Sequence, residues 1–516
     1  MDQKKLKDFI KRRHPEYDLR VEHWNFVEAT YEGGRSWFNG SNIFRYVKEG
    51  EKEFEDRLNR CYRFNHTREV VDLVDKYLFK VEIARNSENA PESVKAFWQK
   101  ATLSGLSIDD LVRRISNRAS TFGRVWVVVD NTKTGAVTSL KEEREAGVQT
   151  YAYIVPPQHA LDMSYDDKGE LNWILFYEET RDDEDPLNSD GSVISRYRLW
   201  TRTNWTLFTV SNVKSEKGKI SIQGPIEHEF GSVPAFAADC VMTPDSLYSA
   251  AGLIDDVAYL DRAVANYLSN LDAIIQDQTF SQLAMPAQGL LPGEAGYDKL
   301  VEMGTKRIFT YDGQGGAAPF YLSPDVKQAQ LILSIISKII NEIYHTVGLA
   351  GERTKEDNSQ GIDNSSGVAK AYDFERVNSL LSAKADSLEE IENKLAHFVA
   401  RWHGDEAKIK EELVAYPKNF DVRGLYDEFE IAGRLALIEA PDEVRREQMK
   451  AIIDKLFPKI AEDIKKKMLD ELKTWPPKLE DLIAQGKVTP GSSKGGTASL
   501  KEIGQNTMAN QLVKSS

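Results

Sequence analysis

Leu253-Ile254-Asp255-Asp256-Val257-Ala258-Tyr259-Leu260-Asp261-Arg262-Ala263-Val264-Ala265-Asn266-Tyr267-Leu268-Ser269-Asn270-Leu271-Asp272-Ala273-Ile274 is the stretch on which the fold turns. Its apolar residues Leu253, Val257, Leu260, Val264, Tyr267, Leu271 and Ile274 recur in alternating steps of four and three. That 3.5-residue period is the seam of a long helix lying along another long helix. Pro286, Gly289, Pro292, Gly293 and Gly296 break the pattern, and a β-like run, Arg307-Ile308-Phe309-Thr310-Tyr311, follows. Ser323-Pro324-Asp325 offers a cap residue, a proline for the first turn and an acid for the positive end of a helix dipole. The second helix then runs through Ile332, Ile335, Ile336, Ile339, Ile340, Ile343 and Val347, and Gly348 and Gly351 stop it. Two long helices bracketing a small insert predict a stalk with the insert at its tip. A lone stalk would expose a large apolar stripe, so its seams are expected to close on one another or on neighbouring copies.

Downstream, residues 348–366 are polar and too long for a minimal helix–helix turn of about 2–8 residues. A third helix carries Val377, Leu381, Leu388, Ile391, Leu395, Phe398 and Trp402 on one face. Val414 to Val422 reads as extended, and a last helical unit covers Leu425 to about Trp475, interrupted at Pro441 and Pro458. The Gly/Ser/Thr-rich end from Gly486 is expected to be mobile. Upstream, residues 1–120 read as mostly helical, with one apolar run from Phe54 through Phe79 and an amphipathic helix from Ile108 to a break at Gly123. The pattern then switches. Val125–Asp130, Tyr151–Val155, Leu171–Tyr177, Ser195–Thr201 and Trp205–Val210 read as strands, the last two as a hairpin around Thr203-Asn204. The class is α+β, predominantly helical.

The 516 residues are 41% hydrophobic and 29% charged, enough for about three or four structural units with real cores. The charged N-terminus, Met1-Asp2-Gln3-Lys4-Lys5, lacks an apolar h-region, so no secretory signal is expected, and no run reaches the ~20 apolar residues of a membrane span. Cys61 and Cys240 alone exclude a disulfide framework and a multi-cysteine zinc site. With 67 basic against 81 acidic residues, net −14, no broad basic stripe for gripping nucleic acid is visible. Phosphate-loop, dinucleotide, zinc-protease and hydrolase-elbow motifs are absent, so no catalytic residue, cofactor or metal is assigned. Gly491-Ser492-Ser493-Lys494-Gly495-Gly496-Thr497 has the wrong spacing for a phosphate loop. Glu227 and Glu229 would face away from His228 on a strand, so a solvent-facing turn outweighs a metal site there. The pairs Asp255-Asp256 and Glu389-Glu390 read as solvated helix faces. Only Arg196-Tyr197-Arg198-Leu199-Trp200-Thr201-Arg202 interleaves cations with aromatics as single-strand stacking requires.

At the level of element order the chain resembles the tailed-bacteriophage portal protein family over about residues 50–475. Local matches carry it: Asn65-His66-Thr67-Arg68-Glu69-Val70-Val71-Asp72 to Phe79, Ser120-Thr121-Phe122-Gly123-Arg124-Val125-Trp126 to Asp130, Ile154-Val155-Pro156-Pro157-Gln158-His159, and Leu253–Asp261 with Tyr267-Leu268-Ser269-Asn270. The resemblance implies a wing from 1–243 and 367–424, stem helices at 244–284 and 323–347, a clip at 285–322, a tunnel loop at 348–366, a crown at 425–475 and a flexible tail at 476–516. It implies a ring of about twelve subunits at one capsid vertex, through which double-stranded DNA is packaged and ejected without sequence preference. Implied partners are further copies of the chain, the terminase large subunit, head–tail adaptor proteins, and the major capsid and scaffolding proteins. No membrane is implied, and the implied location is the virion, with host cytoplasm during assembly. Implied site residues are Arg353, Lys355, Ser359, Gln360 and Asn364 in the tunnel loop, and Lys299, Lys306 and Arg307 for clip docking. Leu253, Val257, Leu260, Val264, Leu271, Ile335 and Ile339 are implied for stem packing.

Helix 253–278 holds Asp255, Asp256, Asp261, Asp272 and Asp277 against Arg262, so one minus five gives −4. Loop 348–366 holds Arg353 and Lys355 against Glu352, Glu356, Asp357 and Asp363, so two minus four gives −2. Acidic walls suit a conduit that must not grip phosphates, and equally suit helix faces that meet water. Two other readings compete with a portal ring. One is a tail or baseplate scaffolding oligomer, which would lack a ring with an axial channel. The other is a soluble enzyme, which would need converging titratable groups and turnover.

Overall fold

The computed structural model describes residues 3–47, 49–132, 149–183, 185, 187, 189, 191–210, 218–241, 246–279, 282–286, 308–311, 318, 320–322, 327–349, 367–418, 420, 432, 441–456, 462–473 and 475. Met1–Val422 form one compact unit and Arg423–Ser516 another.

The first unit opens with helices α1 (Gln3–Ile10), α2 (Tyr17–Glu32), α3 (Glu51–Arg60) and α4 (His66–Leu78), the short strand β1 (Ala84–Arg85), and helices α5 (Glu92–Gln99) and α6 (Ile108–Phe122). The apolar run from Phe54 to Phe79 is two helices rather than one. Asn65 sits at φ 48°, in the left-handed region, and its side chain accepts the Arg68 N–H at 3.1 Å. That cap restarts the helix in a new direction. Helix α6 begins on Ser107, which accepts the Asp110 N–H at 3.3 Å, and ends at Gly123, φ 81°. A Cβ on Gly123 would lie 2.0 Å from the Ala250 carbonyl oxygen, so only glycine permits this close passage of the chain.

Eight strands follow, β2 (Arg124–Asn131), β3 (Thr150–Val155), β4 (Ala160–Tyr165), β5 (Leu171–Arg181), β6 (Val193–Thr201), β7 (Asn204–Val210), β8 (Ile220–Glu227) and β9 (Ala235–Asp239). The sequence reading finds five of these. The β6–β7 turn is Arg202-Thr203, with Asn204 already opening β7 against Glu227. Strands β4, β8 and β9 read poorly because Ala160–Tyr165 has no β-branched residue, β8 contains Gly224-Pro225, and β9 is rich in alanine. Pairing supplies what propensity does not. β3-β2-β9 form one antiparallel sheet and β4-β5-β6-β7-β8 another. Strand β2 is buried along Arg124–Val129, the continuous apolar run of a central strand covered on both faces.

Helix α7 (Asp255–Thr279) leaves this body, and strands β10 (Gln282–Pro286), β11 (Ile308–Tyr311) and β12 (Phe320–Leu322) form a small sheet before α8 (Lys327–Thr346) returns. β10 lies in the middle, parallel to β11 and antiparallel to β12. Residues 323–326, and with them the Ser323-Pro324-Asp325 start, lie outside the described residues. The other end of α8 closes as the glycines predict: Gly348, φ 77°, donates to the His345 carbonyl at 3.1 Å and Leu349 to the Tyr344 carbonyl at 2.7 Å. This paired closure buries Leu349 beside Tyr344. Helix α9 (Gly367–Trp402) spans roughly 54 Å at 1.5 Å per residue. It packs on α4, α5, α6, β2 and β9, and β13 (Val414–Ala415) pairs with β1. One apolar cluster runs from Trp24 to Phe420 through α2, α4, α5, α6, β2–β6, β9, α7, α8, α9 and β13. In the second unit α10 (Asp442–Leu456) packs on α11 (Glu462–Leu472), and Arg446 donates to the Trp475 carbonyl at 2.6 Å.

Candidate functional site

Among the described residues, the expected site is represented by the α7–α8 hairpin and its anchorage. Helix α7 starts where Asp255 accepts the Gly252 N–H at 2.8 Å and meets His23 Nε2 at 3.0 Å. Helices α7 and α8 pack on each other, and α7 also contacts α2 and α4. Of the seam residues, Val257, Val264 and Leu271 are buried and Leu253 and Leu260 half-buried. On α8, Ile335 and Ile339 are half-buried beside the fully buried Ile336, Ile340 and Ile343. Leu331 and Leu333 stand 61% and 50% exposed, so α8 carries apolar surface that this subunit does not cover.

Of the five acids on this helix, Asp255, Asp261 and Asp272 are engaged by neighbouring groups and Asp256 is exposed. Asp261 is fully buried. Its Oδ2 lies 3.3 Å from Arg63 Nη1 and accepts from the Thr67 hydroxyl at 2.8 Å and its N–H at 3.2 Å. Arg63 also donates to the Thr30 carbonyl and lies over the Trp37 ring at 4.1 Å. Burial pulls the Arg63 proton affinity down, and Asp261 opposes that pull. Asp272 faces Arg60 at 3.4 Å, and Asp255 serves as the cap. A second arginine, Arg57, is 3% exposed at its side chain and grips Glu49 with two bonds of 2.7 Å. Its third nitrogen reaches Ser269 on α7 at 2.9 Å. Two buried arginines therefore fix the angle at which α7 leaves the body.

Helix α9 hides two charges that periodicity did not reveal. Lys384, 2% exposed, donates to the Ser120 hydroxyl at 2.6 Å and approaches Cys240 Sγ at 3.7 Å. Burial raises the nearby Asp75 carboxyl, and the Lys384 charge acts against that rise. Glu392, fully buried, pairs with Arg85 at 2.5 Å and accepts from the Tyr416 hydroxyl at 2.9 Å. These contacts hold α9 to α4, α6 and the β1–β13 ribbon.

The tunnel-loop residues Arg353, Lys355, Ser359, Gln360 and Asn364 and the clip residues Lys299, Lys306 and Arg307 lie outside the described residues. Two of the three arginines of the Arg196–Arg202 run are spent within the sheet: Arg198 pairs with Glu178 at 2.6 Å and Arg202 with Asp166 at 2.7 Å. His228 Nε2 meets the Thr201 carbonyl at 3.1 Å, against the rings of Trp200 and Trp402, and burial lowers its pKa. This half-buried aromatic setting replaces the solvent-facing turn expected there. Among the described residues no group of three metal-binding side chains occurs, and no helix is long and apolar enough to cross a membrane. Cys61 and Cys240 are buried free thiols.

A family model described as phage portal protein, SPP1 Gp6-like, matches residues 13–474. Among solved structures, a chain from the neck of an empty GTA particle, computed with C6 symmetry, is 11% identical with a TM-score of 0.37. The match covers 85% of this chain and 98% of that one. No curated protein matches.

Proposed function

We infer the role of this chain from its family, for it belongs to the phage portal proteins of the SPP1 Gp6-like kind. The proposal is that about twelve copies close into a ring at one capsid vertex. Double-stranded DNA enters through its channel during packaging and leaves during ejection. The observation that carries this reading is the family match over residues 13–474, which takes in the hairpin and the small sheet at its far end. The exposed Leu331 and Leu333 supply the physical reason for association, since a neighbouring copy would cover them. The role is structural: the chain shapes a conduit and offers docking surfaces, and the chemistry of packaging belongs to its partners.

Within this reading residues 285–322 form the clip, where the terminase large subunit docks during packaging and head–tail adaptors dock later. Capsid and scaffolding proteins hold the ring at the vertex. Residues 348–366 form the tunnel loop, with Arg353 and Lys355 as its cations and Ser359, Gln360 and Asn364 as neutral polar contacts to DNA. Wild-type rings are expected to retain the terminase large subunit in a pull-down. The Lys306→Glu/Arg307→Glu ring, of unchanged mass, is expected to retain at most about a tenth as much, as for lost charge pairs at an interface. Equal retention by both rings removes these two residues from the interface. No retention by the wild-type ring contradicts terminase docking.

A further inference from the structure

We propose that the exposed aromatic face around Arg262 is one half of a contact between neighbouring copies of this chain, and that the face carrying Tyr62, Phe64 and Glu69 is the other. The inference rests on the ring reading and deepens it, naming the two surfaces that meet when one copy follows the next. Tyr259, Arg262, Asn266 and Asn270 form one stripe of α7, roughly half a turn from the buried seam of Val257, Val264 and Leu271. Two members of the stripe pin the loop 42–47. Asn266 accepts the Phe44 N–H at 2.9 Å and donates to the Asn42 carbonyl at 2.8 Å, and Asn270 accepts the Tyr46 hydroxyl at 2.7 Å. Phe44, Tyr46 and Val47 nevertheless stand exposed, Val47 entirely, as does Tyr259. Apolar side chains held in place yet left in water mark a surface that another surface covers.

Arg262 sets the chemistry of that face. Its guanidinium carbon lies 4.6 Å from the Phe26 ring, 5.1 Å from Tyr259 and 5.4 Å from Phe44, so three rings fix its plane. Among the described residues no acid pairs with it. Asp255 is held by His23 at 3.0 Å and Glu49 by Arg57 at 2.7 Å. Arg45, which donates to the Glu49 carbonyl, and Arg262 are left against Glu22, one turn before Phe26 on α2. A fixed fork without a carboxylate calls for one from outside. A phosphate chain would want a longer cationic track than two arginines. The second face supplies the acid. Tyr62 and Phe64, edge to face at 6.2 Å, are exposed at the start of α4, and Phe64 leads through His66 to Tyr344 of α8. Glu69 is half-exposed there, and its partner, the His66 ring at 3.2 Å, balances its charge only when protonated. Arg68 beside it turns instead to the Tyr31 and Glu32 carbonyls. This face lies across α7 from the first, since Asp261, which meets Thr67 of α4, faces away from Tyr259 and Asn266. Two different faces on opposite flanks give the head-to-tail contact that closes rings.

The test uses the full chain with benzoylphenylalanine in place of Val47. Rings assembled from equal parts of light and heavy-nitrogen chain are irradiated. Cross-links from position 47 of one copy to peptides holding Tyr62 or Phe64 of another are expected. By mass photometry, Arg262→Gln and Glu69→Arg, both folded by circular dichroism, are each expected to raise about tenfold the concentration at which half the copies are in rings. The charge-swapped Arg262→Glu/Glu69→Arg chain is expected to return to within about threefold of the unaltered chain. Rings whose position 47 cross-links elsewhere, or only within its own copy, overturn the proposal and leave the ring reading standing. So does ring formation untouched by Arg262→Gln, or a swapped chain no better than Glu69→Arg. An unaltered chain that never leaves the monomer overturns both.

Discussion

Asp261→Ala lowers the unfolding free energy of the first unit by about 3–5 kcal/mol in urea titration, the expected cost of stranding one charge of a buried pair. The carboxylate is fully buried and Arg63 is 4% exposed at its side chain, so the guanidinium left behind has no water to turn to. Thr67 loses its acceptor for both N–H and hydroxyl in the same step. The damage falls at the root of the hairpin, where α4 meets α7. Thr67→Val, which removes one hydroxyl and leaves the ion pair, is expected to cost about 1 kcal/mol. A loss below about 1 kcal/mol for Asp261→Ala would show that Arg63 finds solvent or another acid, and that the pair does not fix α7.

Shortening residues 353–363 is expected to lower packaging or retention of full-length DNA while ring assembly and thermal midpoint stay nearly unchanged. The expectation rests on composition. From Glu352 through Asn364 every residue except Gly361 and Ile362 is polar or charged. Such a segment gains nothing from burial, because its polar groups would lose water without regular partners. Its removal therefore takes little apolar surface from the fold. Arg353 and Lys355 are the cations of the loop 348–366, and the deletion removes both. Normal packaging and retention by the shortened ring would reduce the loop to a connector between α8 and α9.

What the sequence made legible follows from how each signal is encoded. Helices α7, α8 and α9 repeat their apolar pattern over many turns, so their existence could be read directly. Strands β2, β5 and β7 are rich in β-branched and aromatic residues and were equally plain. The break at Asn65 was hidden because apolar residues continue on both sides of it. The buried charges were hidden for a different reason. Lys384 fills a step of the 3.5-residue seam between Leu381 and Leu388, where the reading skips a position. Asp261 stands in line with Ile254, Ala258, Ala265 and Leu268, the deepest row of α7. A charged residue in a seam position was the available signal. Its partner could not be named, since Arg63 and Ser120 come from other helices or loops brought near only by the fold.

Top-view electron-microscopy images of the purified full-length chain, averaged without imposed symmetry, decide whether it forms a ring. Closed rings of about twelve subunits are expected around a hole wide enough to pass duplex DNA, with the α7–α8 hairpins packed side by side so that Leu331 and Leu333 are covered. Monomers, dimers or open filaments at every protein and salt concentration tried would contradict the ring.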